Sequence, residues 1–109
     1  MFVKVYKYRI KPEREQEYLE IQKAAESIYE RFVDKQSVHL KSKEDGSTWM
    51  EIHWYKDEPT YDQAVQLINE QEELQQLYRE FMDILVSEEN VLEENYLQVL
   101  RFVRFIHRE

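Results

Sequence analysis

The chain has 109 residues, 42% hydrophobic and 14% aromatic, enough for one packed domain spanning 1–109 and too apolar for a disordered chain. Its net charge of -8 opposes a nucleic-acid backbone, and the absence of cysteine excludes a disulfide scaffold and thiolate chemistry. No segment approaches the ~20 apolar residues of a membrane span, and a strand-like pattern starts at Met1-Phe2-Val3 with no basic leader, so a cytoplasmic protein with no membrane or nucleic-acid partner is expected.

Residues 2–10 read as a strand of Val, Tyr, Phe and Ile with interleaved charges. Lys11-Pro12 ends it, and Glu13 and Glu15 favour the positive end of a helix dipole. The stripe Tyr18, Ile21, Ala25, Ile28, Phe32 steps by three and four and predicts an amphipathic helix. Residues 38–42 form a second strand and 48–55 a third, joined by Glu44-Asp45-Gly46. The only glycine is expected in the left-handed conformation at this turn. An odd loop length keeps Val38 and Leu40 on one face with Met50, Ile52 and Trp54. It puts Ser37, His39 and Lys41 on the other with Trp49, Glu51, His53 and Tyr55.

Thr60 with Gln63 has capping-box spacing for the next helix. Two stripes, Tyr61-Ala64-Val65-Ile68 and Leu74-Leu77-Tyr78-Phe81-Leu85, fall out of phase across Asn69-Glu70-Gln71-Glu72, which predicts a kink or a break. Residues 95–103 alternate again and are taken as the fourth strand. Arg101, Arg104 and Arg108 read as a solvated edge or tail, with His107 exposed beside them.

Two strand–helix–strand halves predict an α+β domain with a four-stranded antiparallel sheet and its helices on one face. The second face is expected to carry Tyr6, Tyr8, Trp49 and Tyr55 and to be covered by another subunit. The same four aromatics are the candidate lining of a pocket for a flat aromatic ligand. His39, Glu51 and His53 share a face and are the candidate catalytic set. An imidazole titrates near neutrality, and a carboxylate can orient it. The trio also has the two-His-one-carboxylate composition of a metal site, but the spacing is no metal motif and no metal is expected. A structural role is the alternative for all three.

The run Trp49-Met50-Glu51-Ile52-His53-Trp54-Tyr55-Lys56-Asp57-Glu58, followed by Tyr61, Ala64 and Leu77-Tyr78-Arg79-Glu80-Phe81, resembles the antibiotic-biosynthesis-monooxygenase type of dimeric α+β barrel. Tyr8-Arg9-Ile10-Lys11-Pro12 and Tyr18 fit its first strand and helix. The resemblance implies a ferredoxin-like βαββαβ subunit, two of which set their sheets face to face as a homodimer. It also implies a cavity between sheet and helices. Members include cofactor-free oxygenases and haem-degrading oxygenases. The haem-degrading branch needs an Asn, a Trp and a His where this chain has Tyr6, Ala64, and Leu77 or Tyr78, so that route is not expected and no cofactor is implied. The expectation is a cofactor-independent monooxygenase for a small aromatic or quinol-type molecule. The alternative is a non-catalytic small-molecule-binding or regulatory dimer.

Overall fold

In the computed structural model, which describes residues 1–106, the chain forms β1 (Phe2–Arg9), α1 (Glu15–Tyr29), β2 (Lys35–Lys41), β3 (Thr48–Tyr55), α2 (Glu58–Asn69), α3 (Glu72–Ile84) and β4 (Leu92–Leu97). The strands make one antiparallel sheet in the order β2-β3-β1-β4. This is the expected ferredoxin-like α+β arrangement. His107, expected in a solvent-exposed tail, lies outside the described residues.

The hairpin register follows the alternation. Val38 pairs with Ile52, Leu40 with Met50, His39 with Glu51 and Ser37 with His53. The turn differs from expectation, because Gly46 has no positive φ. An aspartate does the work instead. The Asp45 carboxylate accepts from Ser47 N at 2.9 Å, Ser47 Oγ at 2.7 Å and Thr48 Oγ1 at 2.7 Å. These bonds, led by the Ser47 hydroxyl, hold the Asp45 pKa down at about 2. A side chain that captures nearby backbone donors closes a turn without a left-handed residue.

The second helical region breaks where the stripes lose phase, between Asn69 and Glu72. Its N-cap is Asp57 rather than Thr60. The Asp57 carboxylate accepts from Thr60 N at 2.8 Å and satisfies an otherwise unpaired first-turn donor. The fourth strand lies earlier than expected. β4 pairs with β1 only as far as Phe2 against Leu97, and Gln98 N then bonds Met1 O at 2.9 Å. Residues 99–106 form no strand, and Phe102 is 88% exposed.

Tyr6, Tyr8, Trp49 and Tyr55 were expected on the uncovered face, and the structure reverses this. Tyr8 and Trp49 pack on Tyr18 of α1, with ring centroids 5.9 and 4.5 Å apart, and Tyr55 packs on Tyr61 of α2 at 4.9 Å. All four belong to the helix-covered face. The opposite face carries Val38, Leu40, Met50, Ile52, Trp54 and Tyr96, with Leu40 50% exposed. The core joins the covered face to α1 and α3 through Ile10, Tyr18, Ile21, Ile84 and Leu85.

Candidate functional site

Between the covered sheet face and the helices lies a cavity of about 750 Å³. Strand alternation sends Tyr6, Tyr8, Glu51, His53 and Tyr55 into it, since the register pairs Tyr6 with Glu51 and every second neighbour shares that face. The helices close it with Tyr29, Tyr61, Leu77 and Phe81. The volume suits a small organic molecule, and the wall combines tyrosine and aliphatic side chains with polar groups such as Glu51, His53 and Glu93.

Three of the four aromatics that the alternation singles out, Tyr6, Tyr8 and Tyr55, reach the wall. Trp49 does not; it is buried under Tyr18 and faces the core. The trio also divides. Glu51 and His53 line the cavity, whereas His39 stands away from it, with Tyr18 between His39 and Tyr8. Among the described residues no group of three or more His, Cys, Asp or Glu is placed to hold a metal. The imidazoles are turned to other partners: His39 Nδ1 to Tyr18, and His53 Nδ1 to Lys35 and Ser37.

Glu51 is the centre of the site. Its side chain is 13% exposed. Oε1 lies 2.9 Å from His53 Nε2, and Oε2 accepts from Tyr8 OH at 2.5 Å. Burial pushes the carboxyl up. The His53 hydrogen bond and charge, the Tyr8 hydroxyl and His39 outweigh that, so Glu51 is held below the usual carboxylate value. His39 goes the other way for an imidazole. Burial lowers it, against the pull of Glu51. Burial first, then neighbouring tyrosines and carboxylates, raises Tyr6, Tyr8 and Tyr55 far above an ordinary phenol, and Tyr29 is raised to about 12 by the same burial. The wall therefore presents phenol hydroxyls around the ionised Glu51 carboxylate, with a second carboxylate, Glu93, paired to Lys4.

Three residues of this site lie outside the set that sequence reasoning selects. Lys4, on the same face as Tyr6, is buried. It ion-pairs with Glu93 and lies 5.0 Å from the Tyr61 ring centre. Tyr18 carries the hydroxyl that joins Tyr8 to His39. Lys35, at the start of β2, has a side chain only 2% exposed. For Lys4 the parity with Tyr6 was the available signal; a lysine opening a strand gives none.

No protein-family model matches the chain, and neither does any curated protein. Solved structures do resemble it. An uncharacterised NIPSNAP domain protein from Burkholderia xenovorans superposes with a TM-score of 0.74 at 14% identity, covering 95% of this chain and 100% of that one. An antibiotic biosynthesis monooxygenase gives 0.70 at 14% identity, covering 92% and 100%. SnoaB, a cofactor-independent oxygenase from Streptomyces nogalater, gives 0.72 at 8% identity, covering 94% and 97%. At these identities the likeness is one of fold, and the fold is that of the antibiotic-biosynthesis-monooxygenase and NIPSNAP proteins.

Proposed function

We propose that this chain is a homodimeric, cofactor-independent oxygenase acting on a flat aromatic molecule of quinol type. The observation that carries the reading is the aromatic-walled cavity with ionised, imidazole-held Glu51 on its floor. A hydroxyaromatic fits the cavity beside the packed rings of Tyr55 and Tyr61 and meets a carboxylate that can take its hydroxyl proton. The resulting anion is electron-rich enough to react with molecular oxygen directly. The wall phenol of Tyr6 can donate to the oxygen-bearing groups, whereas the Tyr8 proton goes to Glu51. In this reading Glu51 is the base, and His53 keeps it oriented and charged. His39 supports the site from outside the cavity, through Tyr18 and through its nearness to Glu51. A fold neighbour named as a cofactor-independent oxygenase agrees with this chemistry.

The test is oxygen consumption and thermal stability in the presence of simple hydroquinones. Turnover and a raised Tm are expected, and Glu51→Gln should cut kcat about 100-fold or more, the usual scale for losing a general base. A wild-type protein that neither binds nor consumes any quinol would overturn the assignment.

One observation favours a second reading, a binding module without turnover. Both Glu51 oxygens already have donors and its pKa is lowered, which makes it a weak base. That reading expects retention of the aromatic ligand with no oxygen consumed.

A further inference from the structure

The buried lysine beside the cavity has no part in the chemistry above, yet its surroundings are specific. Lys35 Nζ reaches Glu26 Oε2 at 2.5 Å, Ser37 Oγ at 2.5 Å and His53 Nδ1 at 3.2 Å. An ammonium has three protons and accepts nothing. These three contacts use all of them, and they make His53 Nδ1 an acceptor.

The polarity of the remaining bonds then follows by counting protons. His53 Nε2 must carry the ring proton and donate it to Glu51 Oε1. On the far side, Tyr8 has one proton, and it goes to Glu51 Oε2. The Tyr8 oxygen, 2.6 Å from Tyr18 OH, must therefore accept from Tyr18. Tyr18 has then spent its own proton, so His39 Nδ1, 3.2 Å away, must donate to it. Among the described residues no buried side-chain polar atom lacks a partner.

We propose that Lys35 is a positioning residue that fixes His53 in the Nε2-protonated tautomer, while the Tyr8–Tyr18 chain fixes His39 protonated on Nδ1, so that two donor chains converge on Glu51. One chain runs Lys35 to His53 to Glu51, and the other runs His39 to Tyr18 to Tyr8 to Glu51. Lys35 acts from behind the wall and touches no ligand. Its ammonium faces His53 Nδ1, which leaves the Nε2–H aimed at the carboxylate. This deepens the reading of Glu51 as the site's carboxylate, but it is a statement about the resting protein.

Long-range nitrogen–proton NMR on protein labelled with 15N-histidine, without ligand at pH 7.5, reads each tautomer directly. Single His→Gln variants assign the rings. The expected result is an Nε2-protonated pattern for His53 and an Nδ1-protonated pattern for His39. Lys35→Met should move the His53 Nδ1 resonance from the unprotonated toward the protonated position, because the donor that holds Nδ1 as an acceptor is gone and Ser37 Oγ can accept from it. Lys35→Arg should restore the wild-type pattern. A wild-type His53 protonated on Nδ1 or on both nitrogens would overturn the proposal, and no variant is needed to see it. So would a Lys35→Met protein with native amide shifts and an unmoved His53 pattern. Absence of turnover with quinols bears on the oxygenase reading alone and leaves these tautomers as expected.

Discussion

At the residue scale, the site depends on groups whose protonation differs between folded and unfolded chain. His39 is held below its ordinary 6.5, so the unfolded chain binds a proton first as the pH drops. Stability is full above 6.5 and falls as the pH goes from there down to the folded pKa. Glu51 is held below 4.5, so it adds a second loss that begins near 4.5 and runs to its own folded value. Thermal unfolding followed from pH 7.5 to 3.5 should show both declines, and His39→Gln should flatten the upper one. An unchanged upper decline in that variant would assign it to another group. Much of this site could be read from the chain. The parity of β3 puts Glu51 and His53 together, and the hairpin adds His39 across from Glu51. Parity does not give depth, however. It could not say that Tyr18, from a helix, would stand between His39 and the cavity, nor that a strand-opening lysine would be buried.

At the scale of elements, α3 is anchored by its last turn. Ile84 is fully buried, its carbonyl accepts from Lys11 N at 2.9 Å, and Leu85 bridges to Ile10. The helix that closes the cavity is thus tied to the end of β1. Ile84→Ala should cost about 2–5 kcal/mol, the range for emptying a buried aliphatic site. Urea denaturation measures it directly, and a loss under 1 kcal/mol would mean that the site can collapse. The break between α2 and α3 was legible because two hydrophobic stripes cannot stay on one face once their phase slips. The end of β4 was not. Alternation continues through 95–103, but a strand lasts only where a neighbour pairs with it, and β4 pairs with β1 only through Leu97. Pairing length is a property of two segments, and a single-segment pattern does not contain it.

At the scale of the whole molecule, the sheet has one face under helices and one without. Both faces of β1 and β3 carry large apolar side chains, so alternation alone sorts residues into two sets without saying which set the helices cover. That is why the aromatic set was placed on the wrong side. The uncovered set, Val38, Leu40, Met50, Ile52 and Trp54, is the surface on which the proposed homodimer rests. Light scattering should give twice 13.6 kDa, and Leu40→Asp should return it to the monomer value. A wild-type monomer would remove the dimer from the proposal. A last consequence comes from the backbone as a whole. Among the described residues none has a positive φ, and a methyl group added at Gly46 would meet nothing within 4 Å. The only glycine is thus unneeded by the native state and acts mainly as slack in the denatured one. Gly46→Ala should stabilise the protein by about 0.4–1 kcal/mol through the unfolded chain alone. The hairpin tip is therefore open to a label or an inserted epitope, provided that Asp45 is kept to close it.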